Sequence, residues 1–153
     1  MTLLNARTGE SARAAKPIDI LLVDDSPGDV FLMRQALADQ PFPVRVRVAK
    51  DGAQALELVH NRQDDPDLVI LDLAMPRAPG MMFLERCVNP NLPVVVFSSS
   101  GSREDQLRAL RLGAREFIHK PTHFGAFADQ VSQIVRNWVR QPDTVAAGRG
   151  AER

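Results

Sequence analysis

The sequence lacks the features by which several classes of protein are recognised. Its 153 residues include a single cysteine, Cys87, which excludes an internal disulfide framework and suits a reducing compartment. His60, His119 and His123 have no partners at the spacing of a zinc site. No apolar run approaches the roughly 20 residues needed to cross a bilayer, and residues 1–16 lack the long apolar stretch of a secretory signal. We therefore expect a cytoplasmic protein with no membrane partner.

An excess of charge of one sign is also missing. The 19 lysines and arginines balance 19 aspartates and glutamates, and aromatic residues make up only 5% of the chain. No overall field would therefore draw the protein onto nucleic acid, and no aromatic residues are interleaved with Arg108, Arg111 and Arg115. We expect no nucleic-acid partner. We interpret the three arginines as a solvated helix face, the alternative being a partner or dimer surface.

The chain divides into one predicted domain and two flanks. Its length and its 44% content of hydrophobic residues suit a single globular domain, which we place at residues 17–140. Residues 1–16 have no clear periodicity and predict a flexible N-terminal arm, whereas residues 141–153 predict a disordered C-terminal tail. Since neither flank could hold a second domain, we expect the output to pass through protein–protein contacts.

Within the domain, short apolar segments alternate with amphipathic helical patterns. The segments that predict strands are 18–23, 44–48, 68–71, 94–97 and 115–119. Such alternation predicts right-handed crossovers and a parallel sheet covered on both faces. The predicted fold class is α/β, a flavodoxin-like (βα)5 three-layer sandwich with strand order 2-1-3-4-5. The helix after the fourth strand is expected to bury Leu107, Leu110 and Ala114.

Two of the predicted helices begin with the same pattern, a serine followed three residues later by an aspartate. Ser26 and Ser102 are the predicted N-caps. Asp29 and Asp105 are predicted to face back toward their own serine and so complete a capping box.

Reactive polar residues stand where four of the predicted strands end. They are Asp24 and Asp25 after the first strand, Asp72 after the third, Ser98 after the fourth and Lys120 after the fifth. Ligands of open α/β sheets bind beyond the carboxyl ends of the strands, so the predicted order would bring this set to one point. Clustered carboxylates need a cation to coexist in the ionised form, and Mg²⁺ suits such a pocket. A lysine and a hydroxyl opposite would complete a cradle for a phosphoryl group.

Each of these residues also has an ordinary structural interpretation. The Asp24–Asp25 pair could cap a helix, and an aspartate that ends a strand is more often structural than catalytic. Serine-rich turns are common, and a lysine before a proline is usually solvated. The conjunction favours a site because every member lies at the same end of its own strand. Asp72 could then attack an activated phosphoryl group without a general base, since a carboxylate is ionised at neutral pH.

An ordered set of motifs across residues 17–140 resembles the response-regulator receiver family. The matching stretches are LLVDD (Leu21–Asp25), VAKDGAQAL (Val48–Leu56), LVILDLAMPRAPG (Leu68–Gly80), PVVVFSSSG (Pro93–Gly101), LGA (Leu112–Ala114) and HKP (His119–Pro121). The resemblance implies a signalling switch that is phosphorylated on Asp72 by a sensor histidine kinase or a phosphotransfer protein. It implies no enzyme activity beyond the domain's own phosphorylation and dephosphorylation.

The resemblance also implies roles for individual residues. Asp24, Asp25 and Asp72 would organise Mg²⁺, with Asp25 as a direct ligand. The main-chain carbonyl of Ala74 would be another ligand, and Lys120 would pair with the phosphoryl oxygens and with Asp72. Many relatives carry a polar side chain where this chain has Ala74, whose methyl group cannot orient a water molecule. The dephosphorylation rate of relatives therefore does not carry over.

Two further residues resemble the conformational switch of the family. Ser98 lies five residues after Pro93 and twenty-two before Lys120, which matches the switch hydroxyl, and Ser99 is the alternative. Phe117, three residues before Lys120, matches the aromatic side chain that turns inward on phosphorylation. Its alternative interpretation is an ordinary aromatic residue of a strand.

A narrower resemblance is to single-domain receivers associated with bacterial phytochromes. The stretch VDDSPGDVFLMRQAL (Val23–Leu37) is similar to their first loop and helix, and those proteins often dimerise. This implies a bacteriophytochrome as the kinase, a homodimer and an unidentified downstream protein target.

Two other functions are alternatives to a phosphorylated receiver. They are a pseudo-receiver, which binds partners without phosphorylation, and a phosphohydrolase with an aspartate nucleophile. Every charged member of the site is present, which disfavours the first, and Asp72 lacks an Asp-x-Asp pair, which disfavours the second.

Overall fold

The computed structural model describes residues 16–60, 65–75, 80–87 and 89–139. The predicted arm, apart from Lys16, lies outside the described residues, and so do Arg140 and the predicted tail. Strands and helices alternate throughout the described part of the chain.

The strands form one parallel sheet. They are β1 (Ile18–Val23), β2 (Val44–Ala49), β3 (Leu68–Leu71), β4 (Val94–Ser98) and β5 (Glu116–His119). Their order is β2-β1-β3-β4-β5, and each neighbouring pair is parallel. The predicted flavodoxin-like fold and strand order are therefore confirmed.

A helix follows each strand. The helices are α1 (Pro27–Ala38), α2 (Gly52–His60), α3 (Gly80–Arg86), α4 (Arg103–Arg111) and α5 (Phe124–Trp138). Within the described ranges, none of them combines the length and the apolar character that a membrane-spanning helix needs.

The sheet separates two hydrophobic clusters, which gives the three layers. Because successive side chains of a strand point to opposite faces, Ile20 and Leu22 of β1 join one cluster while Leu21 and Val23 join the other. Helices α1 and α5 cover the first face, and α2, α3 and α4 cover the second. Fully burying one such aliphatic side chain contributes roughly 1.5–3 kcal/mol, so this alternation fixes the register of the strands.

The alternation of valine and arginine along β2 suits its position at the edge of the sheet. Arg45 and Arg47 approach Asp19 of β1, with N–O distances of 3.5 and 3.2 Å. Charged side chains on an edge strand oppose pairing with a second sheet.

The expected buried face of α4 is wrong in its two leucines, whereas the third expected residue, Ala114, is buried just beyond the end of the helix. Leu107 and Leu110 are 46% and 43% exposed, whereas Ala109 is fully buried against the sheet. Successive residues of a helix lie about 100° apart, so an inward-facing Ala109 turns both leucines away from the core. Helix α4 therefore packs through a small side chain and leaves two large ones at the surface.

Candidate functional site

The carboxyl ends of the strands are tied together by main-chain hydrogen bonds. The N–H of Asp24 donates to the carbonyl of Ala49 (3.0 Å), and that of Asp72 donates to the carbonyl of Val23 (2.9 Å). The N–H of Lys120 donates to the carbonyl of Ser98 (3.0 Å). The polar residues that follow β1, β3, β4 and β5 thus start from fixed positions along one edge of the sheet, as the strand order predicts.

Three carboxylates converge at this edge. Asp24 and Asp72 are buried and Asp25 is exposed, and one carboxylate oxygen from each lies within 4.8 Å of the others. Three hard oxygen ligands, with one residue open to water, suit a divalent cation such as Mg²⁺ or Mn²⁺. The residues present therefore fit the cation that the sequence predicts.

Asp24 has a structural role as well. Its Oδ1 accepts a hydrogen bond from the N–H of Ser26 (2.9 Å), which supports the start of α1. Burial raises the pKa of the Asp24 carboxyl group above its usual range, and the hydrogen bond from Lys120 opposes this shift in part. Asp24 therefore both supports the start of the helix and contributes to the acidic cluster.

Asp72 is surrounded by hydrogen-bond donors. Its Oδ1 accepts from the hydroxyl of Ser98 (2.7 Å) and from the N–H of Ala74 (3.0 Å), and its Oδ2 lies 3.3 Å from Nζ of Lys120. Gly80 packs against the main chain of Asp72, where a Cβ would collide with the carbonyl oxygen. The side chain of Asp72 is therefore oriented from three sides.

Lys120 joins the site to α1. Its side chain is only 4% exposed, and Nζ donates to Asp29 at 2.7 Å, to Asp24 at 2.8 Å and to Asp72 at 3.3 Å. Burial would lower the pKa of Lys120, but the hydrogen bonds to Asp24 and Asp29 and the negative charges of Asp24 and Asp72 together outweigh it and hold this pKa above its ordinary value. The lysine is thus a fully charged group at the centre of a carboxylate cluster.

The predicted capping box at the start of α1 is wrong in one residue. Ser26 is the N-cap and its Oγ accepts from the N–H of Asp29 (3.2 Å), as expected. The Asp29 carboxylate turns to Lys120 instead of to Ser26. The physical reason is that the N–H of Ser26 is already bonded to Asp24, so the side chain of Asp29 has no capping partner left.

Asp29 and Gly80 are the site residues that the sequence reasoning missed. The position of Asp29 three residues after a serine indicated a cap, and nothing in the local pattern pointed to a lysine 91 residues away. Gly80 carried a usable signal, since a glycine that closes the loop after a strand-end aspartate is typical of close main-chain approach.

The serine run has a clear geometry. Ser98 is fully buried and its hydroxyl donates a hydrogen bond to Asp72, whereas Ser99 is exposed.

Phe117 is half-buried and packs on Gly101 in the loop after Ser98. Gly101 has a φ of +137°, and a Cβ there would lie 2.5 Å from Cζ of Phe117. Phe117 also makes an edge contact with His119, with ring centroids 5.3 Å apart.

The three arginines near α4 are exposed, and two of them make contacts within the chain. Arg108 pairs with Glu85 of α3. Arg115 donates to the carbonyl of Pro90 (2.9 Å) and lies 5.9 Å from the ring centroid of Trp138. The arginines therefore support the solvated-face interpretation.

Known proteins resemble this chain in sequence. It is 36% identical over 152 residues to protein-glutamate methylesterase/protein-glutamine glutaminase 3 of Burkholderia lata, covering 91% of this chain and 41% of that protein. It is 34% identical over 132 residues to the transcriptional regulatory protein CpxR of Klebsiella pneumoniae, covering 84% of this chain and 55% of that protein. The chain thus spans less than half of the methylesterase and little more than half of CpxR.

Solved structures resemble its fold. The phosphorylated cyanobacterial phytochrome response regulator RcpA matches with a TM-score of 0.74 and 29% identity, covering 80% of this chain and 94% of that one. The Mn²⁺-bound form of response regulator Rcp1 matches with a TM-score of 0.73 and 26% identity, covering 82% and 96%. Residues 20–132 match the response regulator receiver domain family. The chain therefore belongs to the response regulator receiver domains of two-component signalling.

Proposed function

We propose that this receiver domain is a phosphorylation switch in which Asp72 accepts a phosphoryl group from a sensor histidine kinase. The observation that carries the proposal is the setting of Asp72. Its carboxylate is buried, bonded to the hydroxyl of Ser98 and adjacent to Nζ of Lys120, with two further carboxylates beside it. The site thus brings together a nucleophile, a hydroxyl donor, the positively charged side chain of a lysine and carboxylates that can bind a metal ion.

The acidic cluster would hold Mg²⁺. Asp24, Asp25 and Asp72 supply carboxylate oxygens, and the main-chain carbonyl of Ala74 would add a further ligand. When bound, the ion supplies positive charge that offsets the repulsion between these carboxylates and a phosphoryl group. The hard oxygen ligands and the Mn²⁺-bound form of the similar protein Rcp1 support this part of the proposal.

The chemistry of the protein side chains follows from their positions. A carboxylate oxygen of Asp72 attacks the phosphorus of a phosphohistidine in line, and the phosphorus–nitrogen bond breaks as the new phosphorus–oxygen bond forms. The departing imidazole takes a proton from water. Lys120 stabilises the negative charge of the phosphoryl oxygens, and Ser98 redirects its hydroxyl from Asp72 to one of them. Movement of Ser98 and Phe117 would then change the surface of the domain.

The proposal extends to the partners of the domain. We place residues 17–140 in the receiver domain and assign it a phytochrome-linked kinase, because RcpA is named as a phytochrome response regulator. The output would be a surface that forms a homodimer or binds a downstream protein. Leu107 and Leu110, exposed on α4, give that surface an apolar component.

Treatment with acetyl phosphate and Mg²⁺ tests the proposal. We expect the intact mass to rise by one phosphoryl group on an acid-stable, base-labile bond, and removal of the metal by a chelator to prevent this. Asp72→Asn should abolish the adduct, whereas the matched control Asp129→Asn, an exposed carboxylate of α5, should retain it. Light scattering on the two forms of the wild type then measures whether phosphorylation changes the dimer.

Other results would contradict the proposal. A wild type without any adduct would favour a pseudo-receiver that binds partners unphosphorylated. Steady release of phosphate from small esters would favour a phosphohydrolase.

A further inference from the structure

The hydrogen-bonding capacity of Lys120 is fully used in this structure. An ammonium group has three N–H donors, and Nζ contacts three carboxylates, those of Asp29, Asp24 and Asp72. The contact with Asp29 is the shortest at 2.7 Å, although Asp29 does not belong to the acidic cluster. A phosphoryl oxygen on Asp72 would be a fourth acceptor, so Lys120 could bind it and keep its contact with the Asp72 carboxylate only by giving up Asp24 or Asp29.

Burial decides which partner is released. The side chain of Asp24 is completely buried, and a buried carboxylate that loses its cation is left with an uncompensated charge. The side chain of Asp29 is 33% exposed and lies in the first turn of α1, beside a cleft of about 340 Å³ that opens to solvent near Ser99 and Pro121. Water can therefore solvate Asp29, but not Asp24, after the ammonium group has left.

The main chain of Lys120 limits how this exchange can happen. Its N–H is fixed to the carbonyl of Ser98, so the backbone remains in place and the flexible side chain moves. The distance from Nζ to Asp72 is now 3.3 Å, longer than the distances to Asp24 and Asp29. Of the three contacts, the one with Asp72 is therefore the one that can still become shorter.

We propose that Asp29 is a positioning residue: it holds the ammonium group of Lys120 in the resting state and releases it when Asp72 carries a phosphoryl group. The inference rests on the proposed function of Asp72. Asp29 competes with the phosphoryl group for the same cation, and this competition favours the unphosphorylated form. Neutralising Asp29 removes the competitor and leaves Lys120 available to the phosphoryl oxygens.

Binding of beryllofluoride, a phosphoryl analogue, measures the competition. We expect Asp29→Asn to bind beryllofluoride about fivefold more tightly than the wild type at saturating Mg²⁺, the order of effect of a partly exposed ion pair. Without beryllofluoride, the affinity for Mg²⁺ should stay the same or fall, because the freed ammonium group repels the cation. A variant that merely loosened the fold would weaken both ligands.

Matched variants make the result specific. Asp105→Asn alters the equivalent aspartate at the start of α4. The carboxylate of Asp105 contacts the N–H of Ser102 and not Lys120, so this variant should leave beryllofluoride affinity unchanged. Asp29→Glu keeps the charge and should restore an affinity close to that of the wild type. Asp29→Ala serves as the second test if Asp29→Asn does not fold, and it should bind more tightly for the same reason.

Two outcomes would overturn the inference, and they are distinguishable. If the wild type binds beryllofluoride but folded Asp29→Asn binds it no more tightly, the role of Asp29 is wrong and the function of Asp72 stands. If the wild type binds no beryllofluoride with Mg²⁺ present, the proposed function fails and the role of Asp29 fails with it.

Discussion

The starts of α1 and α4 carry the same sequence pattern but use it differently. In both, the hydroxyl of the N-cap serine accepts a hydrogen bond from the N–H three residues on, at 3.2 Å for Ser26 and 3.1 Å for Ser102. At α4, Asp105 returns the contact by accepting from the N–H of Ser102 (3.3 Å). At α1, Asp29 accepts from Nζ of Lys120 instead.

The difference shows how a tertiary contact overrides a local one. At α1, Asp24 already accepts the hydrogen bond from the N–H of Ser26 and so takes the place that Asp105 has at α4. The carboxylate of Asp29 is then left for a buried ammonium group, which is a stronger partner than a main-chain N–H. The serine therefore has one role in both helices, whereas the aspartate has two.

Removal of Lys120 should have the largest effect on this comparison. Lys120→Met leaves Asp24 buried without its cation, and we expect the free energy of unfolding to fall by about 3 kcal/mol. Urea unfolding in the presence of a chelator measures the loss, and Lys50→Met, at an exposed lysine, is the control. A loss below about 1 kcal/mol would mean that the cluster does not depend on Lys120.

Removal of either N-cap should have a smaller effect, equal at the two helices. Ser26→Ala and Ser102→Ala each delete one hydroxyl acceptor, and we expect each to lower the free energy of unfolding by about 1 kcal/mol. Thermal or urea unfolding of the pair would measure this. If Ser26→Ala were the more costly by more than about 1 kcal/mol, the two serines would not be equivalent after all.

The smallest effect is expected at the start of α4. Asp105→Asn weakens only a half-exposed hydrogen bond and the favourable charge at a helix N-terminus, so the free energy of unfolding should fall by about 0.5 kcal/mol. Glu104→Gln is the matched control, because Glu104 is acidic and in the same turn but outside the capping box. Equal losses in the two variants would show that the reciprocal bond of Asp105 adds nothing.

The sequence was sufficient for the fold because short-range patterns determine it. Apolar segments bounded by turn residues predicted the strands closely, and their alternation with helical patterns predicted the parallel order. The convergence of Asp24, Asp72 and Lys120 followed from that order, since each residue lies at the carboxyl end of its strand. Two strands, β2 and β4, each extend one residue further than predicted, to include Ala49 and Ser98.

The rest depended on contacts that no local pattern contains. Asp29 meets Lys120 across 91 positions of the chain, and its choice depends on Asp24 having taken the competing donor. On α4, the hydrophobic pattern favoured Leu107 and Leu110, yet Ala109 faces the sheet. Periodicity ranks side chains by their hydrophobicity and does not measure the space available between a helix and the sheet.

The contact between Gly101 and Phe117 has a consequence for which substitutions the domain can tolerate. Any L side chain at position 101 would meet both an unfavourable φ of +137° and the ring of Phe117. The loop that follows Ser98 and the strand that carries Phe117 therefore share a single small volume. The ring and the loop cannot both occupy this volume, so a movement of one requires a movement of the other. The absence of a Cβ at position 101 therefore determines how closely the loop and the ring of Phe117 can approach each other.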